Sequence, residues 1–190
     1  MLGRAFRVTF APEREWGAIA RDRPAALGVL VGHVLPLAAI PAVAWMIGLA
    51  AFGLELVLVG EPIRRPGPAA ILHAGVVAYL GSIVSVALLA GAFALLAPMY
   101  GGRRDWGSAW TVAAFGSTPL WLAGVMLLKP AAFIAMLPVV LYVAYLYHRG
   151  LHALGLVRKR DAAECVAIAF LLLFAASTLL GGLLGRAGFL

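Results

Sequence analysis

The sequence has few charged residues and a single cysteine. Charged side chains make up 12% of the 190 residues, about half of the usual share, which is too few to cover a water-facing surface. Cys165 stands alone, so one chain cannot form an internal disulfide or a cysteine-based metal cluster. Only eight residues are acidic, and no paired carboxylates, nucleophile elbow or phosphate-binding loop are evident. We therefore expect no enzymatic activity, no catalytic or metal site, and no bound cofactor.

Hydrophobic residues are abundant instead. They account for 64% of the chain, and the mean hydropathy is +1.00, whereas soluble domains are about half apolar. The apolar runs are continuous and do not alternate with polar residues, which argues against a β-barrel. The sequence therefore predicts an all-α, polytopic membrane helical bundle with the lipid bilayer as its solvent.

Five stretches without Lys, Arg, Asp or Glu are each long enough to cross a hydrocarbon core of about 30 Å. They predict five transmembrane helices in a domain that covers residues 25-186. The expected spans are about 25-54, 69-97, 108-128, 131-148 and 165-185. A short tail, 187-190, follows the last span. Repeated small-xxx-small pairs, such as Ala44/Gly48 and Gly81/Ser85, favour close helix packing within one chain or between chains.

Residues 1-24 precede the first span and contain no hydrophobic region typical of a signal peptide. Within them, Pro12 to Arg21 predicts a short interfacial helix. Pro12 suits the first helical position, while Trp16 and Ile19 recur at helical spacing and form an apolar side. The alternative is a poorly ordered tail.

The positive charges set the expected orientation. With the N-terminus in the cytoplasm, eleven of the fifteen Lys and Arg residues lie on the cytoplasmic side and four lie outside, with the C-terminus. Because these cations sit in short connections between apolar runs, we expect them to contact lipid headgroups and do not expect nucleic-acid binding. The candidate headgroup contacts are Arg14, Arg21, Arg23, Arg103, Arg104, Arg158, Lys159 and Arg160.

Polar and helix-breaking residues inside the spans are candidate functional positions. His33 lies about 12 Å into the first span and is either a proton site or cavity wall, or a neutral imidazole bonded to a neighbouring helix. Pro36 and Pro41 follow on the same helix and remove backbone donors. In the third span, Ser117 and Thr118 immediately precede Pro119 and can compensate backbone groups there.

Three other histidines favour structural interpretations. His73 and Glu55 fall near the outer ends of the first two spans, where reaching the interface is more common than pairing. His148 and His152 share one helix face, but Arg149 stands where a zinc protease has its glutamate. A cation there opposes metal binding, so we interpret this group as an interfacial cluster.

Two segments carry a resemblance to a known family: Ala114-Phe115-Gly116-Ser117-Thr118-Pro119-Leu120-Trp121-Leu122-Ala123-Gly124 and Leu141-Tyr142-Val143-Ala144-Tyr145-Leu146-Tyr147-His148. Together with Pro12, Trp16 and five spans, the chain resembles the bacterial branch of the Yip-domain (Ypt-interacting protein) family between about 12 and 184. The resemblance adds Trp121 to the candidate positions and implies a five-helix inner-membrane protein of no established activity. The second segment is also the tyrosine-rich end of the fourth helix, which by its residues suits a membrane interface.

Eukaryotic members of that family are implicated in vesicle traffic and associate with Rab-type GTPases and with one another. They carry a long cytosolic region with an Asp-Leu-Tyr-Gly-Pro motif, which is absent here, and this speaks against GTPase binding.

Three functions remain open from the sequence. The leading hypothesis is a non-enzymatic inner-membrane scaffold that binds other membrane proteins or its own copies and organises lipid. The second is a small oligomeric transporter or channel with His33 and the proline-broken helices along its path. The third is an accessory subunit of a larger membrane protein complex. A polar, water-reachable cavity at His33 would favour transport, and a dry interior would favour the scaffold.

Overall fold

The computed structural model of the chain describes residues 2–53, 65–129 and 134–186. All regular elements within these ranges are helical, which confirms the predicted all-α class. The α-helices are α1 (Leu2–Phe10), α2 (Pro12–Asp22), α3 (Ala26–Val29), α4 (Leu35–Phe52), α5 (Pro68–Leu96), α6 (Trp106–Gly116), α7 (Thr118–Ala123), α8 (Leu137–Ala153) and α9 (Ala162–Arg186). A π-helical turn joins α3 to α4, and 3-10 turns follow α5 and α7.

Five helical segments are long and apolar enough to cross a membrane. We call them spans 1 to 5: Ala26–Phe52, Pro68–Tyr100, Trp106–Leu128, Ile134–Ala153 and Ala162–Leu183. They confirm the predicted polytopic bundle. The suggested pairing of Glu55 with His73 and the tail 187-190 lie outside the described residues.

Spans 4 and 5 include charged residues that were expected to end them. Span 4 continues past the predicted 131-148 to Ala153, because Arg149 remains helical and pairs with Glu13 at 2.8 Å. Span 5 begins at Ala162, ahead of the predicted 165-185. Its first turn holds Glu164, a favourable place for an acidic residue on a helix dipole. A charged residue therefore does not mark the end of a helix here.

Span 3 forms the centre of the bundle. In its most apolar 18 residues, 61% of the residues are buried, against 11% in the corresponding stretch of span 5. α6 contacts α5 and α8, and α4 packs along α5 and the end of span 3. Gly48 permits that last contact, because a Cβ atom there would lie 2.4 Å from the Leu127 carbonyl oxygen.

α1 and α2 form an N-terminal hairpin, residues 2–22, that packs against spans 3 and 4. Within it, Glu15 is 5% exposed and pairs with Arg7 at 2.7 Å and with Arg4 at 3.5 Å. Arg4 also pairs with Asp22, near the other end of α2. These contacts hold the two helices of the hairpin to each other.

A helix does form at the predicted position, but its apolar side packs against the bundle and does not face lipid. Trp16 and Ile19 are buried, and the Trp16 ring fills the space above Gly150 on α8. The Tyr142 hydroxyl donates to the Thr9 carbonyl, about 16 Å along α8 from its end at Ala153. The hairpin therefore reaches into the bundle beside α8, a docking that periodicity within Pro12 to Arg21 cannot reveal.

Asp105 caps the start of α6, and this cap yields a testable prediction. Its carboxylate accepts hydrogen bonds from the Ser108 N–H at 3.0 Å and hydroxyl at 2.9 Å. These bonds, chiefly that from the backbone, lower the pKa of Asp105 below its usual value of about 3.9. The stability that the carboxylate contributes is present above pH ~4 and is lost as the pH falls through the folded-state pKa.

Asp105→Ala should lower the free energy of unfolding by about 1 kcal/mol in denaturation of the detergent-solubilised protein. Asp105→Asn is the matched control, since its amide oxygen still accepts from Ser108. It should retain most of the stability and remove this contribution to acid sensitivity. An asparagine variant as unstable as the alanine variant at neutral pH would contradict the capping assignment.

Candidate functional site: the His33 core and a lateral cavity

His33 lies on a π-helical turn, Leu30–Val34, near the start of span 1. The Leu35 N–H donates to the Leu30 carbonyl, five residues back, so the turn is wider than an α-helical turn. Pro36 follows directly, has no N–H to offer Gly32, and its ring crowds the Gly32 carbonyl. The wider turn relieves this conflict. The sequence anticipated a disturbance at Pro36, but not its form.

The His33 side chain is completely buried between spans 1 and 3. Its Nε2 lies 2.9 Å from the Thr118 hydroxyl, and its ring packs at a tilt of 41° against the Phe115 ring, with 4.3 Å between the ring centroids. Trp121 meets the ring edge-on at 6.1 Å. Within the described residues, Nδ1 has no hydrogen-bond partner. This arrangement matches the structural interpretation of His33, an imidazole bonded to a neighbouring helix.

Span 3 breaks between α6 and α7, immediately before Pro119. The Ser117 hydroxyl turns back to the Ala113 carbonyl at 2.8 Å, as expected of a serine beside a broken helix. The Thr118 hydroxyl instead forms a hydrogen bond with His33. The two adjacent hydroxyls therefore have different roles: one satisfies its own helix, and the other joins spans 1 and 3.

Tyr147 is the main residue of this core that sequence analysis placed elsewhere. The tyrosine-rich end of span 4 was assigned to an interface, yet Tyr147 is 1% exposed and its hydroxyl lies 2.7 Å from that of Ser117. Phe93 and Phe170 hold its ring edge-on at 5.3 and 5.8 Å. A glycine at 116 makes room for the ring, which is the signal that could have located it.

The other two prolines and tryptophan of the candidate set have packing roles. Pro41 continues inside α4, where its ring lies against Gly124 of span 3. Pro119 is the second residue of α7 and is buried. Trp121 is 3% exposed and stands between the His33 ring and a neighbouring cavity.

The cavity is lined mainly by spans 2 to 5, together with Pro41 of span 1, and has a volume of about 420 Å³. We call it the lateral cavity. Most of its wall is apolar, with hydroxyls from Ser82, Ser85, Ser117 and Tyr147. His33 does not line it. The His33 core and the lateral cavity are therefore separate, with Trp121 as the partition.

The sequence matches the family model of the Yip1 domain over residues 6–181. The chain belongs to the Yip1-domain family. The match begins inside α1 and ends near the end of span 5, so both the N-terminal hairpin and the five spans belong to the domain. It agrees with the resemblance drawn from the segments around Pro119 and Tyr147. No curated protein and no solved structure matches the chain.

All eight basic residues expected to contact headgroups are exposed in this Yip1 domain. Five belong to the connections after spans 2 and 4, which lie together because Gly102 packs against the Leu156 carbonyl. Among these, Arg103 pairs with Asp105, whereas Arg158 and Arg160 pair with Asp161. Arg14, Arg21 and Arg23 belong to α2 and its end. The two connections thus carry an exposed group of cations, and α2 carries a second one.

The described residues around His33 form a packed core and no reactive site is evident among them. The buried imidazole faces a hydroxyl and aromatic rings, and within the described ranges no three His, Cys, Asp or Glu side chains group as metal ligands. His148 instead lies 3.3 Å from the Lys159 carbonyl. The geometry around His33 can hold two helices together and exclude water.

Proposed function

We propose that this Yip1 domain is a non-enzymatic scaffold of a bacterial cytoplasmic membrane. It would act by binding other membrane proteins, or its own copies, through its helices, and lipid headgroups through its exposed cations. The N-terminal hairpin would lie on the cytoplasmic side and the end of span 5 on the outer side, as the distribution of positive charge favours.

The observation that carries this proposal is the seal around His33. A permeation path needs polar groups that water can reach, whereas His33 is fully buried against Phe115, Trp121 and Thr118. The proline-broken helices pack tightly: Pro41 meets Gly124, and Pro119 is buried. This dry interior supports the scaffold over the transporter.

Outward-facing small residues support helix contacts with partners. A Cβ atom added at Gly28, Gly81, Gly91 or Gly181 would meet nothing within 4 Å. Gly48, in contrast, packs against another helical segment inside the bundle and is not open to a partner. Small residues on a lipid-facing surface let another helix approach closely. An accessory subunit of a larger complex would use the same surfaces.

The test compares transport with association in the same preparation. Purified protein in phospholipid vesicles should conduct no more protons than protein-free vesicles under a potassium diffusion potential, followed with a pH-sensitive dye. Copies carrying donor or acceptor fluorophores on an added C-terminal tag should show energy transfer that unlabelled copies compete away. Each of the four outward glycines would be changed singly to leucine, and at least one of these variants should show weaker energy transfer between copies.

Val84→Leu is the matched control, because Val84 is 41% exposed on the same helix as Gly91 and is already large. It should leave energy transfer unchanged. Proton conduction that His33→Leu removes, with none of the glycine variants affecting association, would replace the scaffold with the transporter.

A further inference from the structure

We propose that the lateral cavity is a binding site for one acyl chain of a membrane phospholipid. The chain would come from the leaflet remote from the N-terminal hairpin and enter beside Gly81 with its methyl end pointing toward Tyr147. This goes beyond the scaffold role, since it depends on neither protein partners nor headgroup contacts.

The chemistry of the wall favours a hydrocarbon occupant over water. The Ser82 hydroxyl donates to the Ala78 carbonyl, and the Ser117 and Tyr147 hydroxyls bond each other. These groups are therefore already partnered, and the rest of the wall is largely apolar. Apolar cavities of about 150 Å³ already stay dry and take up small apolar molecules. A cavity of about 420 Å³ is large enough for a longer apolar group.

The shape of the cavity follows the membrane normal. At 1.5 Å per residue, Tyr147 lies about 9 Å from the end of α8 at Ala153, and Val140 lies about 20 Å from it. Gly81 lies about 22 Å from the end of α5 at Leu96. The residues that line the cavity therefore spread over about 10 Å along α8, from Val140 at the end remote from Ala153 to Tyr147.

Access is lateral, at the remote end. Gly81 is exposed, lines the cavity, and would have open space around a Cβ atom. Tyr147, at the other end, is enclosed by Phe93, Phe170 and the backbone at Gly116. The opening lies among transmembrane helices, where the surrounding solvent is lipid chains. A phospholipid tail is the long, narrow, apolar group available at that depth.

Photo-crosslinking tests both occupancy and direction. The full chain would be reconstituted in phosphatidylethanolamine–phosphatidylglycerol vesicles that contain a phospholipid with a diazirine near the methyl end of one chain. After irradiation, mass spectrometry should find label on Tyr147 as well as on Leu141, which is 75% exposed to lipid. A diazirine near the carboxyl end should shift the cavity label away from Tyr147 toward Val140 and Met136.

Ser85→Phe should fill the cavity and abolish the Tyr147 label while the Leu141 label remains. Val84→Phe is the matched control, because Val84 is exposed and does not line the lateral cavity, and it should keep both labels. Gly81→Leu is a second variant that narrows the entrance and should also remove the Tyr147 label. The inference is overturned if wild-type Tyr147 is no more labelled than buried Val112, or if folded Ser85→Phe and Gly81→Leu proteins keep the label.

Discussion

Trp16→Ala is expected to release the N-terminal hairpin from the bundle. Trp16 is 1% exposed, and its ring fits over Gly150 so closely that a Cβ atom there would lie 2.8 Å from it. Truncating a buried tryptophan costs about 3–5 kcal/mol. The ion pair between α2 and α8, Glu13–Arg149, is partly exposed and contributes at most about 1 kcal/mol.

The ion pairs of Glu15 cannot replace the lost contact, because both partners, Arg4 and Arg7, belong to the hairpin itself. Limited trypsin digestion in detergent should therefore cleave the variant faster at Arg14 and Arg21 while leaving the spans intact. Trp106→Ala is the control, since Trp106 is 55% exposed and should change neither cleavage nor stability appreciably. Equal digestion of Trp16→Ala and the unchanged protein would show that other contacts dock the hairpin.

Gly116→Ala is expected to destabilise the bundle by about 1–3 kcal/mol, as overpacking of a rigid core does. The added methyl carbon would lie 2.3 and 2.4 Å from Cδ1 and Cε1 of Tyr147. The ring cannot move aside easily, because Phe93 and Phe170 hold its other sides and Ser117 bonds its hydroxyl.

Gly91→Ala is the matched control, because a Cβ atom there meets nothing within 4 Å. It should be neutral or stabilising by up to about 1 kcal/mol, the helix-propensity gain of alanine over glycine. Thermal unfolding in detergent measures both. A melting temperature of Gly116→Ala at or above that of Gly91→Ala would contradict the position of the Tyr147 ring.

The sequence predicted some features of the candidate site and not others. The depth of His33 and the compensating role of Ser117 follow from position along a helix and from local backbone chemistry, which a sequence displays directly. The contact between His33 and Thr118 joins residues 85 positions apart. Their pairing depends on how spans 1 and 3 face each other, which neither residue encodes alone.

Tyr147 and Trp16 show why the rest was not predictable. A transmembrane helix is apolar on every side, so its pattern does not distinguish the face toward protein from the face toward lipid. Three tyrosines share the end of span 4, yet Tyr145 is 41% exposed and Tyr147 is buried. Trp16 belongs to an amphipathic helix, but the pattern cannot tell whether lipid or Gly150 covers its apolar side.

The sequence by itself determined the membrane class, the five helices and the expected orientation, because hydropathy and charge act residue by residue through the cost of transfer into lipid. Only the tertiary structure decided that His33 is sealed, that the N-terminal hairpin docks on α8, and that a lateral cavity lies among the spans. These depend on side-chain shape at close range. In particular, they depend on Gly48, Gly116 and Gly150, where backbone or side-chain atoms of neighbouring helices approach closely.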